Sequence, residues 1–600
     1  MALALAALAL TLVASACLSA RLLPDRSHSE RLAATATLAP ALTLLPVYAL
    51  GLVGALSPWP LRLFTLALCA LSIALSGRAA RARVLDDLRA ARTLSRDALR
   101  DPLALAAVGV GLASIALGLL AAYLLPTWSW DALGYHLPIA LEALQRGDLR
   151  AGPVEVPYLH TYPRAVDFSF LAWRVWLTDP RWIDAAQLPW GLALWAALAT
   201  LSRRASASPL RAASLSSLSL ALPVVALQLP SDYIDVAVAA LTLLSVCAVT
   251  APLSRATLVL AALSLGLLLG AKPSTPPLVA ALSLALLLRA RRASLTAPAL
   301  LALALAFAIG CERYLSTALA HGNPLWPVRM RLGPIVLPGQ TDARYFFNLG
   351  FPQWFRELSW PVKVAVSWFS LRVRFVYDMR VGGFGPLFSL VLAPLTVVFL
   401  ARRDTRAAIA RAWPAFAVAA APAAFWTRYV IAVPCLLLAS VVGAGERLAP
   451  RWRRALDLAM VLAAAVGLWH ASPGYTDAGP SLSSLVRASE DARLRAVSVD
   501  GHPRDWARVM AVVGEGDATA HDLSFGLPGL LRDDRLGARV LRVPETVRTP
   551  NDLVAWSRRE RVRVIALGGE NRAMARARPD VFTERFACPV DDCAVFTRPR

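Results

Sequence analysis

The chain has 600 residues, of which 57% are hydrophobic and 17% are charged. Soluble domains carry about 25% charged residues, and disordered chains are poor in apolar residues. The composition therefore excludes both classes and favours a membrane protein with several spans. The 62 basic and 40 acidic side chains leave a net charge of +22. Because the arginines flank apolar segments, this charge is typical of the positive-inside rule rather than of nucleic-acid binding.

The apolar segments predict about thirteen membrane-spanning helices. The first, at residues 2–22, has arginines after it rather than before it, which favours a retained span over a cleaved signal peptide. The arginine-rich stretch 78–100 predicts a cytoplasmic loop. The span at 103–125 then crosses outward, so we expect residues 126–185 to form an extracytoplasmic loop. A second outer loop is expected at 313–360.

Later spans include 212–229 and 411–426. Two shorter apolar stretches are harder to assign. Residues 164–178 contain charged side chains and predict an interfacial helix rather than a span. For residues 361–378 the choice between a span and a loop stays open.

After about residue 472 the apolar runs shorten to the length of strands, and Gly, Pro, Asp and Arg become more frequent. Val562–Leu567 and Cys593–Phe596 predict strands, and Thr549 predicts the start of a helix. The alternation of strands and helix indicates a small α/β domain. Residues 568–571 (Gly-Gly-Glu-Asn) follow a predicted strand but lack the G-x-G-x-x-G spacing, so we interpret them as a turn and not as a nucleotide site.

The predicted fold is thus an α-helical polytopic membrane protein with a small extracytoplasmic α/β domain at its C-terminus. Residues 1–102 hold the N-terminal spans and the basic loop, 103–471 the main transmembrane core, and 472–600 the α/β domain. Cys588 and Cys593 are too few for a zinc site. Whether they form a local disulfide depends on whether the tail faces an oxidising compartment.

The first candidate site is the segment Trp128-Ser-Trp-Asp131-Ala-Leu-Gly-Tyr135-His136-Leu-Pro138, just outside a predicted span. If the segment is helical, Asp131 and Tyr135 share a face. One interpretation is a carboxylate at the mouth of a membrane-level cavity. The alternative is that Asp131 caps a short helix and the aromatic residues form an ordinary interfacial belt.

A second acidic segment is Pro230-Ser-Asp232-Tyr-Ile-Asp235, at the outer start of a predicted span. Asp232 is suited to be the N-cap, which would place Asp235 one turn into an apolar helix. A carboxylate in that position is costly and usually faces a cavity, so Asp235 is the better functional candidate.

Two isolated basic residues, Lys272 and Arg428, also lie at predicted outer boundaries. The positive-inside rule predicts few basic residues there, so both need a partner. A lipid phosphate would serve, because a guanidinium can hold it with two hydrogen bonds and an ammonium adds a point charge. The alternative is that the two side chains extend to lipid headgroups without a specific ligand.

Other chemistries lack support in the sequence. The chain has no P-loop, no H-E-x-x-H and no G-x-S-x-G motif. A metal role for His321 with His136 or His160 has no supporting spacing. The candidate acids lie on one side of the membrane rather than at mid-depth, where a transporter would place them.

Together these residues resemble a known family. An aspartate in the first outer loop, another at a later outer span and Arg428-Tyr429 followed by Pro434 are similar to the C-superfamily of membrane glycosyltransferases. Three short motifs make the resemblance closer to relatives of dolichyl-phosphate-mannose protein mannosyltransferases and of the lipid A aminoarabinose transferase. They are Trp130-Asp131-Ala-Leu-Gly-Tyr135-His136-Leu-Pro138, Gly322-Asn323-Pro324-Leu-Trp326-Pro327 and Gly383-Phe-Gly385-Pro386. The resemblance covers about residues 100–470.

The resemblance implies transfer of a sugar from a polyprenyl-phosphate donor to a glycan, lipid or protein acceptor at the extracytoplasmic face of the plasma (inner) membrane, without nucleic acid. Asp131 would be the base of an inverting displacement and Asp235 the second acid. Lys272 and Arg428 would contact the donor phosphate.

Substrate contacts are further expected from Tyr135, His136 and Tyr429. Asp131 and Arg428 are expected to border one cavity without pairing, because base and leaving phosphate approach the sugar from opposite sides. The mannosyltransferases commonly carry a D-E pair where this chain has Asp131-Ala132. A divalent metal is therefore an open question, and no metal ligand is assigned.

Two rival functions stay open at this point. A lipid or glycan transporter or flippase would place acids and bases deep in several spans, within two pseudo-symmetric halves. A non-enzymatic assembly protein would use the C-terminal domain to recruit a partner. Replacing Asp131 by Asn discriminates among the three, since only the enzyme loses glycan transfer while it still folds.

Overall fold

The computed structural model describes residues 1–150, 158–348, 351–371, 383–475, 481–490, 492–493, 497, 512–514, 516–522, 531, 539–587 and 593–599, and the structural statements below concern these residues. The chain is mostly helical and ends in a small β-sheet region, as the sequence predicts.

The N-terminal half of the chain is built of helices joined by short loops. They are α1 (Ala2–Leu22), α2 (His28–Leu52), α3 (Pro58–Arg100), α4 (Pro102–Leu124), α5 (Leu137–Arg146), α6 (Asp167–Arg174), α7 (Leu188–Arg204), α8 (Pro209–Ser216), α9 (Pro223–Gln228), α10 (Asp235–Thr250), α11 (Arg255–Leu269), α12 (Pro276–Arg292), α13 (Thr296–Gly310) and α14 (Glu312–His321). Short 3-10 segments at Pro180–Gln187 and Ser217–Ala221 connect some of them.

Three short strands follow, β1 (Val328–Leu332), β2 (Ile335–Leu337) and β3 (Thr341–Asp342), in the order β2-β1-β3. The helical part then resumes. Its helices are α15 (Ala343–Asn348), α16 (Gln353–Arg356), α17 (Trp360–Phe369), α18 (Ala393–Ala401), α19 (Arg403–Ala410), α20 (Pro414–Ala419), α21 (Ala432–Gly445), α22 (Pro450–Ala471) and α23 (Leu482–Val486).

By length and composition, five helices in the described part of the chain can cross a membrane, namely α1 to α4 and the continuous stretch Pro450–Tyr475. The number is six if α13 and α14, which are bent by 64° at their junction, count as one span. Shorter apolar helices such as α10, α11 and α21 complete the bundle. A multi-pass membrane protein is thereby confirmed, whereas the predicted number of thirteen spans is not.

Local sequence explains where several of these helices begin and bend. Ser27 and Glu30 form a capping box at the start of α2, and Asp101 accepts hydrogen bonds from the first turn of α4. Gly77, with φ 78°, bends α3. The predicted cytoplasmic loop at 78–100 is therefore a helix that continues from the span before it.

Two π-helical segments each precede a proline. Ala132–His136 leads into Leu137-Pro138, and Leu387–Leu392 leads into Ala393-Pro394. Proline has no N–H to donate to the carbonyl four residues before it, so the α-helical pattern fails there and the chain widens into a π turn. The first of these turns carries candidate site residues.

Close helix packing depends on small residues. A Cβ added to Gly310 of α13 would come within 2.5 Å of the carbonyl oxygen of Gly266 in α11, and one added to Gly443 of α21 within 2.3 Å of that of Ala205. Helices can approach so closely only where side chains are absent, as is common among membrane helices.

Two predicted spans are wrong as single helices. The stretch 212–229 is divided among α8, a 3-10 segment and α9, and 411–426 holds only α20 with turns on either side. Proline interrupts both, since Pro223 begins α9 and Pro414 begins α20. The predicted interfacial helix at 164–178 is the eight-residue α6, which is too short to span but buries Phe168 and Phe170 in protein. Of 361–378, the described part is helical to Phe369.

The C-terminal region contains a five-stranded sheet in the order β5-β4-β6-β8-β7. Its strands are β4 (Ala518–His521), β5 (Arg539–Arg542), β6 (Val562–Gly568), β7 (Thr583–Ala587) and β8 (Cys593–Thr597), and its helices are α24 (Pro550–Arg559) and α25 (Gly569–Arg576). Strands β4, β5 and β6 are parallel, and β8 runs antiparallel to β6 and β7.

The predicted strands at 562–567 and 593–596 and the helix start at Thr549 are confirmed. The prediction of a turn at 568–571 is wrong, because α25 begins at Gly569, whose φ of 47° suits glycine. Cys593 is disulfide-bonded, whereas Cys588 lies outside the described residues. The domain boundaries at 102 and 471 stay predictions.

Helix α10 defines the two ends of the bundle, because it begins at Asp235 and ends at Thr250, roughly 24 Å away at 1.5 Å per residue. At the Thr250 end, Arg204 contacts both Thr250 and Glu30, and Arg289 donates to the carbonyl of Ala251. We call this the arginine-rich end. The end at which α10 begins is called the site end.

Candidate functional site

Four separate parts of the sequence meet at the site end of the bundle. Asp131 directly precedes the π turn that follows α4, and Asp235 is the first residue of α10. Lys272 lies between α11 and α12, and Arg428 lies in a 3-10 turn just before α21. All four are therefore at helix ends, where a side chain can reach a shared space without interrupting a hydrogen-bonded helix.

These four residues form one charged cluster. Nη1 of Arg428 lies 2.8 Å from Oδ2 of Asp131 and 3.6 Å from Oδ2 of Asp235. The ammonium of Lys272 is hydrogen-bonded to Oδ1 of Asp235. Two negative and two positive charges thus balance, which is what allows ionised groups to persist in a buried place.

The two carboxylates differ in their exposure to solvent. The side chain of Asp131 keeps 16% of its surface exposed, whereas Asp235 keeps only 1%. Asp131 is therefore the carboxylate that a substrate can reach, and Asp235 is suited to hold the two cations in place.

Aromatic rings enclose the cations. The Arg428 guanidinium lies 4.6 Å from the ring centroid of Tyr233 and 5.2 Å from that of Trp426. The Lys272 ammonium lies 3.6 Å from the Tyr429 ring centroid, and Tyr429 stacks on Trp426. Cation–π contacts of this kind stabilise desolvated positive charge by about 2 kcal/mol or more.

The electrostatics favour an ionised Asp131. Burial by itself would raise the pKa of this carboxyl, but Arg428, His136 and Lys272 oppose burial and hold the pKa below its ordinary value of 3.8. For Lys272, burial lowers the pKa below 10.5 even though Asp235 acts in the opposite direction. A carboxylate ionised at neutral pH is the form that can accept a proton.

The expectation that Asp131 and Arg428 border one cavity without pairing is wrong, since they form a direct ion pair at 2.8 Å. The physical reason is the burial of the guanidinium, whose side chain is 5% exposed. A buried positive charge requires an anionic partner, and the carboxylate of Asp131 is within reach.

Asp232 is not the cap of α10, in contrast to the prediction. Asp235 begins the helix, and Asp232 instead contacts Asp184, which accepts a hydrogen bond of 2.7 Å from Thr127. Burial, and then the neighbouring acid, raise the pKa of Asp232 far above its usual range, and burial raises that of Asp184 to about 7. This pair therefore holds protons rather than two charges.

Tyr135 and His136, which were predicted to contact the substrate, pack against other residues of the segment 126–185. The Tyr135 ring packs 5.8 Å from Tyr162 and 6.3 Å from Tyr158, which has φ of 70°. His136 is 4% exposed and its Nδ1 lies 2.5 Å from Oδ1 of Asp167.

Sequence reasoning missed Tyr233 and Asp167 as members of the site. For Tyr233, the sequence offered one indication, which is its position between Asp232 and Asp235. Asp167 gave no signal beyond being a charge in an apolar stretch.

A metal centre has no support within the described ranges, where no group of three or more His, Cys, Asp or Glu residues is placed to hold an ion. His321 stacks on Trp326, and His160 contacts Glu142. The three histidines considered in the sequence thus each contact a different side chain.

The fold and the site together define a polytopic membrane protein with a balanced cluster of carboxylates and cations at one end of its helix bundle. No protein-family model and no curated protein match the sequence. Among solved structures, it is similar to ArnT from Cupriavidus metallidurans bound to undecaprenyl phosphate, at 12% identity and a TM-score of 0.48, over 82% of this chain and 99% of that one.

The apo state of the same ArnT is similar over the same shares of the two chains, at 12% identity and a TM-score of 0.46. ArnT is a lipid A aminoarabinose transferase of the C-superfamily of glycosyltransferases, the family that the sequence motifs resemble.

Proposed function

We propose that this protein is a membrane glycosyltransferase that moves a sugar from a polyprenyl-phosphate donor to an acceptor at the extracytoplasmic face. The observation that carries the proposal is the cluster itself. A reachable carboxylate, Asp131, lies beside the buried guanidinium of Arg428 and the partly buried ammonium of Lys272, at helix ends of a membrane protein. Base and phosphate-binding groups are the two requirements of this reaction.

The chemistry needs little more than these groups. The acceptor oxygen forms a bond to the anomeric carbon, while the bond from that carbon to the phosphate oxygen breaks and leaves its electron pair on the phosphate. Asp131 takes the proton of the acceptor hydroxyl. Since phosphate is a stable anion, no strong general acid is required, and a single displacement inverts the anomeric carbon.

Each residue has a distinct part in this proposal. Arg428 and Lys272 stabilise the charge that develops on the leaving phosphate, an effect worth about 2.7–4 kcal/mol per preorganised donor in other enzymes. Because an inverting displacement places the base and the phosphate on opposite sides of the sugar, the proposal requires the donor phosphate to replace Asp131 as the partner of Arg428. Asp235 keeps both cations in position through its contacts with them. Tyr429 places its ring against Lys272 at the edge of the same site.

The distribution of arginine supports the extracytoplasmic side. Arg204, Arg289 and Arg411 converge at the arginine-rich end, opposite to Asp131 and Asp235. Because cytoplasmic loops carry an excess of basic residues, the arginine-rich end is assigned to the cytoplasm and the site end to the opposite face.

The test is transfer in reconstituted vesicles that contain a polyprenyl-phosphate sugar and a hydroxyl acceptor. Asp131→Asn should reduce the transfer rate by about 10²–10⁴-fold, because the base is lost. Asp179→Asn, in the same loop and paired with Arg181, is the matched control and should leave the rate unchanged. Equal rates for the wild type and Asp131→Asn would overturn the proposal.

A further inference from the structure

Two buried arginines outside the charged cluster share a single carboxylate. Oε1 of Glu312 lies 2.8 Å from Nη2 of Arg164 and 3.5 Å from Nε of Arg313. The side chains of both arginines are 5% exposed, whereas that of Glu312 is 38% exposed. Two positive charges are therefore buried beside one negative charge that solvent partly screens. Buried charge without equal compensation is costly.

The two guanidinium groups differ in how their N–H groups are used. Arg164 donates to both oxygens of Glu312 and to the carbonyl of Leu149. By contrast, nothing in the described part of the chain accepts a hydrogen bond from Nε or Nη2 of Arg313, although both atoms are buried. The 3.5 Å contact of Arg313 with Glu312 is an ion pair that is too long for a good hydrogen bond.

Nε and Nη2 form the edge of a guanidinium that can hold two oxygens at once. In Arg211 the same two atoms donate to the two oxygens of Asp457, at 2.9 and 2.7 Å. In Arg313 this edge is buried but has no such carboxylate against it among the described residues. A phosphoryl group also offers two oxygens to one guanidinium, and it is the other anion that arginine binds in this way.

The acids of the segment that contacts Arg164 have other partners. Asp148, next to Leu149, is paired with Arg146 at 2.8 Å and with Arg150 at 2.7 Å. Glu142 is paired with the same Arg146 at 2.8 Å. Both acids are thus already engaged, and a bound anion would supply the charge that Arg313 lacks.

The start of α14 adds to the positive potential around Arg313. Arg313 lies in the first turn of this helix, and no side chain caps the helix end. The helix dipole favours an anion at such an end, and helical side chains lean toward it. The guanidinium and the dipole therefore act in the same place.

The two arginines adjoin the proposed reaction site without being part of it. The hydroxyl of Tyr314, next in sequence to Arg313, donates to the carbonyl of Lys272 at 3.1 Å. Within the described ranges, however, the ion pairs of the two arginines do not include Asp131 or Asp235. They therefore belong to the site end of the bundle but form a separate group.

We propose that Arg164 and Arg313 form a second anion site, which binds one phosphoryl group separately from Arg428 and Lys272. The ligand enters beside Glu312, the exposed member of the group, and its oxygens accept hydrogen bonds from Nε and Nη2 of Arg313. The phosphoryl group belongs either to a lipid headgroup or to free phosphate. The inference does not rest on sugar transfer, because binding of an anion requires no turnover.

The experiment follows the melting temperature of the purified full-length chain in detergent, at constant ionic strength, as a probe is added. The probes are inorganic phosphate and dioleoyl phosphatidic acid. Dioleoylglycerol is the control lipid, since it has the same chains but no phosphoryl group. A probe that binds the folded chain raises its melting temperature, and the dependence of this rise on probe concentration reports the dissociation constant.

Two substitutions should act in opposite directions. Arg313→Gln should weaken binding of the phosphoryl probe about 10–100-fold, because hydrogen bonds to a charged group are lost. Glu312→Gln should strengthen binding, because it removes the carboxylate that competes with the ligand for the two guanidinium groups. If the two residues served only to stabilise the fold, neither substitution would change the response to the probe.

The matched control is Arg211→Gln, which removes a guanidinium paired with Asp457 at the other end of the bundle. It should lower the melting temperature but leave the response to both probes unchanged. Arg428→Gln should retain the part of the response that depends on Arg313. If Arg313→Gln does not fold, Arg313→Lys replaces it and should bind the probe more weakly than the wild type, since it lacks the two-point edge.

The two probes distinguish the sources of the phosphoryl group. A response to phosphatidic acid, but not to dioleoylglycerol or inorganic phosphate, identifies a lipid headgroup, whereas a response to inorganic phosphate identifies the free anion. The inference is overturned if neither probe raises the melting temperature of the wild type, if Arg313→Gln responds as the wild type does, or if Arg428→Gln abolishes the whole response. Each of these failures leaves the proposed function standing, because that function is tested by sugar transfer.

Discussion

Replacement of Arg428 is the perturbation with the most specific expected result. Its Nη1 is 2.8 Å from Asp131 and 3.6 Å from Asp235, and its guanidinium stacks 4.6 Å from the Tyr233 ring. In Arg428→Gln, two carboxylates lose a shared cation in a buried place, which costs about 3–5 kcal/mol of stability for an ion pair of this type. In addition to this loss of stability, the transfer rate per folded molecule should fall about 10²–10³-fold, because the leaving phosphate loses a preorganised donor.

A matched variant separates the two effects. Arg211 forms a similar ion pair with Asp457, with Nη2 2.7 Å from Oδ1, at the arginine-rich end of the bundle. Arg211→Gln should therefore lower the melting temperature by a comparable amount and leave the transfer rate per folded molecule unchanged. Arg428→Lys keeps the positive charge but lacks the planar guanidinium that can donate two hydrogen bonds to one phosphate. It should therefore be more active than Arg428→Gln but less active than the wild type.

The assay combines thermal melting with sugar transfer in vesicles, normalised to folded protein. The reasoning would be refuted if Arg428→Gln transferred sugar at the wild-type rate, or if Arg211→Gln lost transfer to the same extent.

Three further predictions concern pH, the acid pair and helix packing. Since the pKa of Asp131 lies below 3.8, transfer should not lose activity through this group until the pH falls toward 4, and an acid limb above pH 6 in a pH–rate profile would contradict this. Because burial raises the pKa of Asp184 to about 7, folding becomes less favourable as pH rises from about 4 to 7. Asp184→Asn should thus melt at a higher temperature than the wild type at pH 8 but not at pH 4; a lower melting temperature at pH 8 would exclude this assignment. Gly310→Ala places a Cβ 2.5 Å from the carbonyl oxygen of Gly266 and should destabilise the fold by about 1–3 kcal/mol, whereas Gly109→Ala, with nothing within 4 Å, should be tolerated in the same melting assay.

The parts of the fold that follow from local rules could be predicted from sequence. Apolar length identified the multi-pass class, and the Thr549–Asp552 capping signal located α24. Prolines also had a local effect, but whether Pro223 ends a span or begins a new short helix within it depends on the packing of neighbouring helices. Sequence reasoning consequently treated 212–229 as one helix.

The members of the site could likewise be predicted from local sequence, but the contacts between them could not. Asp131, Asp235, Lys272 and Arg428 stood out because charges at apolar helix boundaries are costly. Their pairing could not be inferred, since Arg428 and Asp131 are 297 positions apart. For the same reason Asp167 was missed as the partner of His136.

Asp232 shows the limit of local rules most clearly. Its position before an apolar run is typical of a helix cap. In the folded chain it contacts Asp184 instead, and Asp235 takes the first position of α10. A capping preference is worth only about 1 kcal/mol, which is too little to fix the start of a helix by itself.

The most direct test of the central claim compares the glycolipids and glycoproteins of cells that produce either the wild-type chain or Asp131→Asn at equal levels in the membrane. The account predicts that one glycosylated product is present with the wild type and lost with Asp131→Asn, while its polyprenyl-phosphate sugar donor accumulates. Identical glycan profiles in the two strains, with both proteins folded and inserted, would contradict it.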